Sequence, residues 1–200
     1  MVDIQQSYLM RKSEIVQRLK EFKEVKGDDV FYELCFCILT PQTSGFRADE
    51  CVQELKRRNF LYSNYNPKNF LKKKIRFHHN KTKYLLEAKK NFKTVVQNLN
   101  DTNNPKEKRL WLLKNVKGLG LKESSHFSRN VGCENLAILD RHILKNLKKY
   151  NVIDEVPKTL TQKRYYEIEE KFKRFSKKIN IPMDHLDLLF WAEETGKVFK

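Results

Sequence analysis

The sequence predicts an all-α fold of two helical lobes. Three observations carry the prediction. Apolar residues recur at helical spacing nearly throughout, no segment alternates long enough to make a strand, and glycine and proline fall between the periodic segments. Neither an internal repeat nor a low-complexity linker interrupts the pattern, so the whole chain, 1–200, reads as a single domain of two helical subdomains.

The elements follow in order. Ile4, Tyr8, Ile15, Leu19 and Phe22 share one face of a charged first helix, which Gly27 ends, and Asp28 or Asp29 caps the next. Val30–Leu39 is apolar enough for a buried central helix, stopped by Pro41, and a third helix runs from Phe46 to Arg58. Residues 59–80, with Pro67, are irregular. Lys81–Leu99 is again helical, and Asp101–Pro105 is a turn. Leu110, Leu112 and Leu113 belong to a short helix that leads into Gly118. Further helices are expected near Lys122–Asn130, Arg141–Tyr150, Thr161–Lys178 and Met183–Glu194, whereas the apolar run Leu136–Leu139 is too short for a strand.

Charge narrows the partner. Lys and Arg outnumber Asp and Glu 41 to 25, a net charge of +16 spread along the chain. Any one lysine cluster reads as a solvated face, but an excess over the whole length favours a polyanion: nucleic acid or an acidic membrane surface. No apolar run approaches the ~18 residues needed to span a bilayer, and Met1–Gln6 carries Asp3 and no apolar stretch of a signal peptide. The expected location is therefore intracellular, in the cytoplasm and at the nucleoid. Cys35, Cys37, Cys51 and Cys133 form no C-x-x-C pair, and His78, His79, His126, His142 and His185 stand at no metal spacing with them, so no metal or cofactor is expected. Cys35 and Cys37, inside an apolar run, read as buried thiols.

The segment Val116-Lys117-Gly118-Leu119-Gly120-Leu121-Lys122 joins two helical stretches. Glycines at 118 and 120 permit a tight turn with positive φ, and the turn presents backbone N–H groups at the start of a helix, an arrangement suited to phosphate. Val116, Leu119 and Leu121 supply the apolar packing such a hairpin needs. This is the helix-hairpin-helix pattern, which grips DNA by its backbone without reading sequence; the two lobes would then flank a DNA-binding cleft. Lys117, Gly118 and Gly120 are the DNA-binding candidates here.

Gly118-Leu119-Gly120-Leu121-Lys122 resembles the hairpin of the helix-hairpin-helix DNA glycosylase superfamily, and Asp140 stands 18 residues after Lys122 at the start of another expected helix. In the superfamily's bifunctional members these two positions hold the catalytic lysine and aspartate. The resemblance implies that Lys122 attacks the sugar C1′ of a damaged nucleotide, forms a Schiff base and allows strand cleavage by β-elimination, while Asp140 orients the amine and stabilises positive charge on the sugar. A free lysine is neutral in only about one molecule in ~2,500 at pH 7. Burial and neighbouring cations such as Lys117 are expected to lower its pKa. Taken singly, Lys122 is a surface lysine and Asp140 a helix cap; their joint spacing is what argues for catalysis.

The branch follows from what is missing. No cysteine follows Cys133, against the iron–sulfur enzymes such as endonuclease III, and 200 helical residues leave no room for the extra N-terminal β domain of the eukaryotic-type enzyme. The remainder resembles the second, mostly archaeal type of 8-oxoguanine DNA glycosylase/AP lyase over nearly the whole chain, through Ile38-Leu39-Thr40-Pro41-Gln42-Thr43-Ser44, Arg76-Phe77, the hairpin, and the ending Trp191 to Lys200. The implied partner is double-stranded DNA containing 8-oxoguanine, bound by a monomer.

That resemblance gives Gln42, in the turn after the second helix, the task of filling the gap left by the flipped nucleotide; a local bond to backbone is the rival reading. Phe77 and Trp191 are candidates to stack the base, against His78 and plain core packing respectively. Asp187, four residues before Trp191, is placed to accept from a guanine-type edge or else is a solvated carboxylate. The apolar Val198 and Phe199 suggest that the last residues dock, and the family assigns base recognition to the C-terminal lysine, here Lys200 with its carboxylate. Two other functions stay open: the same chemistry on another oxidised base, and a non-catalytic helix-hairpin-helix DNA-binding protein.

Overall fold

The computed structural model describes residues 4–200; residues 1–3, part of the Met1–Gln6 stretch read above, lie outside the described residues. Among the described residues there are eleven α-helices and no strand: α1 Ile4–Lys23, α2 Asp28–Leu39, α3 Gly45–Arg57, α4 Lys68–Lys74, α5 His78–Lys90, α6 Phe92–Asp101, α7 Pro105–Asn115, α8 Leu121–Asn130, α9 Arg141–Lys149, α10 Gln162–Lys178 and α11 Met183–Thr195. They form two compact units. Val25–Val131 is one; the residues up to Glu24 together with Gly132–Lys200 are the other.

Each unit is built round one helix that is buried on nearly all sides. In Val25–Val131 it is α2, packed against α3, α5 and α8. Phe31, Leu34, Cys35, Phe36, Cys37, Ile38 and Leu39 are all at most 1% exposed, so the apolar character read from 30–39 is the character of a helix with no solvent face. In the other unit it is α11, packed against α1, α9 and α10. Leu186, Leu188, Leu189, Phe190 and Ala192 form its core, and Phe190 stacks between Phe172 and Tyr150.

Most boundaries fall where capping chemistry puts them. Ser44, Asn104, Asp140 and Thr161 each accept a backbone N–H at the start of a helix. Four expectations are corrected. The first helix ends at Lys23, and Gly27 is instead the N-cap of α2, with φ 55°; Asp28 and Asp29 lie inside the first turn, where carboxylates suit the helix dipole. The irregular stretch 59–80 contains α4, whose Leu71 is the buried anchor. The long helix expected over Lys81–Leu99 starts earlier, at His78, and breaks at Asn91 into α5 and α6. Of the two hairpin glycines, only Gly118 has positive φ (91°); Gly120 is extended, φ −86° and ψ −172°, as the N-cap of α8.

Candidate active site

In the unit Val25–Val131, α7 and α8 pack against each other and the hairpin Val116–Gly120 connects them. Val116 and Leu119 are buried beneath it, and Val116 O accepts the Leu119 N–H. A Cβ on Gly118 would stand 2.6 Å from Tyr84 Cδ2, so that ring and the positive φ both require glycine there. The Gly120 amide is not an open phosphate donor, as the sequence suggested: it donates to Glu123 Oε2 at 3.2 Å. Glu123 Oε1 also lies 3.0 Å from Lys122 Nζ. The lysine is thus held on the first turn of α8, its side chain a quarter exposed, within the same carboxylate's reach. Lys117 is exposed and pairs with Glu87 at 3.2 Å, which matches its charge. The hairpin therefore presents fewer orphan amides than expected.

The same unit gathers Gln42, Phe77 and Gly118 on one cleft of about 230 Å³, with Pro41, Asn80, Lys81 and Tyr84 among its other walls. Gln42 and Phe77 are both non-glycine residues in the left-handed region, φ 54° and 56°. Phe77 is 52% exposed, an aromatic face offered to solvent with the Arg76 guanidinium 5.9 Å from the ring centre. Below Gln42 lies a residue that the sequence reading passed over. Lys81, on α5, is 4% exposed, and its ammonium donates to Leu39 O (2.7 Å), Pro41 O (2.7 Å) and Thr43 Oγ1 (2.8 Å). Burial pushes its pKa down to about 8; Cys51 opposes the shift and the positive charge of Lys122 adds to it. The signal was in the register: Lys81 shares a helical face with the buried Leu85 and Ala88, a charge at a core position.

In the other unit, Asp140 is the N-cap of α9, its Oδ1 accepting from Ile143 N at 2.8 Å. The chain enters this cap through Leu136–Leu139, which is buried but not a strand. Two side chains of α10 hold that segment: Glu169 accepts from Ala137 N at 2.8 Å, and Tyr165 Oη donates to Ala137 O at 2.6 Å. A buried extended segment needs such partners for its backbone, and neither was visible in the sequence as a supporter of Asp140. Asp187 and Trp191 lie one turn apart on α11. Asp187 is only 8% exposed, so it is not a solvated carboxylate, and Trp191 is half-buried. Gly196, φ 82°, ends the helix, and the tail turns back so that the Phe199 ring lies 5.7 Å from that of Trp191. Lys200 Nζ lies 6.0 Å from the Phe199 ring centre. The last residues are packed on α11 rather than splayed into solvent.

Cys35, Cys37 and Cys51 are buried free thiols, and no group of three or more His, Cys, Asp or Glu among the described residues is arranged to hold a metal ion. No helix among them is long and apolar enough to cross a membrane.

Comparison with known proteins identifies the family. The model of the family described as 8-oxoguanine DNA glycosylase matches residues 15–181. The chain is 44% identical over 210 residues to an 8-oxoguanine DNA glycosylase/AP lyase of Fusobacterium nucleatum, covering 99% of this chain and 96% of the relative. It is 38% identical to the protein of that name from Methanocaldococcus jannaschii, over 92% of this chain and 89% of the relative. The crystal structure of the M. jannaschii 8-oxoguanine DNA glycosylase superposes with a TM-score of 0.87 at 35% identity, covering 98% of this chain and 95% of the other. The structure of an M. jannaschii 8-oxoguanine glycosylase/lyase in complex with a 15mer DNA containing 8-oxoguanine superposes at 0.84, with 36% identity over 94% and 93% of the two chains.

Proposed function

The chain belongs to the 8-oxoguanine DNA glycosylase family, and we propose from that premise that it is a bifunctional DNA glycosylase/AP lyase that excises 8-oxoguanine from duplex DNA and then cleaves the strand. The observation that carries the reading is the placement of Lys122: a partly shielded amine on the first turn of α8, directly behind the Gly118–Gly120 hairpin.

The chemistry runs as follows. The neutral amine of Lys122 attacks C1′ of the flipped nucleotide; the C1′–N9 bond breaks, and the base leaves with that electron pair and takes up a proton. Opening of the sugar gives a protonated Schiff base between Lys122 and C1′. Loss of a C2′ proton then expels the 3′ phosphate by β-elimination, and water releases the lysine. Asp140 holds negative charge against the cation that develops on the sugar and orients the amine. Its bond to Ile143 N fixes that carboxylate, so capping and catalysis use the same residue.

In this reading Gln42 fills the gap beside the orphaned partner base, Phe77 and Trp191 offer stacking faces, and Asp187 and Lys200 take part in recognising the lesion. Lys117 and the hairpin at Gly118 meet the phosphate backbone, while the Gly120 amide stays with Glu123. The two units are subdomains of one domain spanning 1–200, and its work on genomic DNA is done at the nucleoid. Duplexes that each carry one defined lesion, read for base release, nicking and borohydride-trapped adduct, test the proposal. Release and trapping on the 8-oxoguanine duplex are the expected result; an adduct only on oxidised pyrimidines would change the substrate, and binding with no adduct on any lesion would leave a DNA-binding protein without catalysis.

A further inference from the structure

We infer that Lys81 is a positioning residue for Gln42: its buried ammonium ties together the end of α2 and the turn that presents Gln42 to the DNA. The inference rests on the reading of Gln42 given above. A helix leaves its last carbonyls without partners, and α2 ends in the interior of its unit. Lys81 supplies one missing donor from another helix, to Leu39 O, and its other two hydrogens go into the turn, to Pro41 O and Thr43 Oγ1. All three ammonium hydrogens are used, and all three acceptors are neutral. A cation at this end also suits the α2 dipole.

The acceptors at Pro41 and Thr43 bracket Gln42, which has φ 54°. A non-glycine residue in the left-handed region persists only where its surroundings hold it. Thr40 Oγ1 bonds back to Cys37 O and Thr43 N to Thr40 O, so the turn is closed on its own side as well. Lys81 then fixes the whole turn to α5, whose first residues follow Phe77 in the wall of the same cleft. One buried ammonium thereby sets where both Gln42 and the start of α5 stand.

The test compares strand cleavage at an abasic site in duplex DNA with cleavage at the same site in a single strand. Both need Lys122, but only the duplex has an orphaned partner base for Gln42 to contact. In Lys81→Met, duplex cleavage is expected to fall about tenfold, the scale on which loss of a charge-assisted hydrogen bond acts, with single-strand cleavage unchanged. Gln42→Ala is expected to lower duplex cleavage as well, and the double variant to be no worse on the duplex than the more impaired single one. Thr43→Val keeps the lysine and removes one acceptor; it should give a smaller loss of the same pattern, and it serves where Lys81→Met does not fold. Equal losses on both substrates, or additive losses in the double variant, would overturn the inference. A wild-type chain inert on both substrates overturns the functional reading itself, and this inference with it, before any variant is compared.

Discussion

The central helices of the two units end in different ways. Helix α11 is closed from within its own stretch of chain: Gly196 takes the left-handed conformation, its N–H bonds to Ala192 O, and Thr195 Oγ1 bonds to Trp191 O. Helix α2 is closed by Lys81, about forty residues further along. The first ending needs only neighbours in sequence; the second needs α5 to be in place. The proposed chemistry is also divided between the units. Val25–Val131 carries the proposed nucleophile Lys122 on the first turn of α8, the hairpin with Gly118 at positive φ, and Gln42 in left-handed backbone. The other unit carries Asp140, Asp187, Trp191 and Lys200, on regular helices, a helix cap and a packed tail. In the proposed reading, bond-making belongs to the unit Val25–Val131, and charge stabilisation and base recognition to the other.

The largest expected effect removes the proposed bond-maker. Lys122→Gln should abolish borohydride trapping and lower base release by at least about 10⁴-fold, the scale on which loss of a covalent nucleophile acts, while duplex affinity stays within a few-fold. A variant that still traps would put the nucleophile on another lysine, and the division between the units with it.

Asp140 comes next, because its capping bond and its proposed catalytic task separate cleanly. Asn caps a helix about as well as Asp, so Asp140→Asn should keep the melting temperature while excision slows by on the order of 10²–10³-fold. Asp140→Ala should lose the same rate and about 1 kcal/mol of stability besides. Normal turnover in a folded Asn variant would leave residue 140 as a cap alone.

A pair of glycine substitutions sharpens the contrast of the two helix ends. Gly118 and Gly196 both have positive φ, so alanine at either costs about 1–2 kcal/mol in backbone strain. Only at Gly118 would the new Cβ also strike a neighbour, Tyr84, whereas nothing lies within 4 Å at Gly196. Gly118→Ala is therefore expected to unfold at a lower temperature than Gly196→Ala and to lose DNA affinity roughly tenfold, about 1.4 kcal/mol of hairpin contact. Equal affinities in titrations of the two variants would show that the hairpin does not hold the duplex.

The smallest effect is expected at the tail. Phe199→Ala removes the ring beside Trp191 and should slow 8-oxoguanine excision a few-fold, on the scale of ~1 kcal/mol for an aromatic pair, while cleavage at a preformed abasic site stays unchanged. Equal slowing on both substrates would make the tail a packing element without a part in base recognition.

The sequence by itself determined the all-helical class, the buried α2, the hairpin with Lys122 behind it, Asp140 as a cap and Gly196 as a stop. Each is a local matter: apolar period, capping chemistry and left-handed glycine act within a few residues, so they can be read along the chain. Only the tertiary structure decided what depends on distant partners. It set Tyr84 against Gly118, the hairpin glycine with positive φ, and hung the segment before Asp140 on Tyr165 and Glu169 of α10. It also made Lys81 the donor for the end of α2. A buried polar group must find a partner wherever the fold provides one, and a one-dimensional pattern shows that a charge has fallen on a core face without showing which carbonyl will receive it.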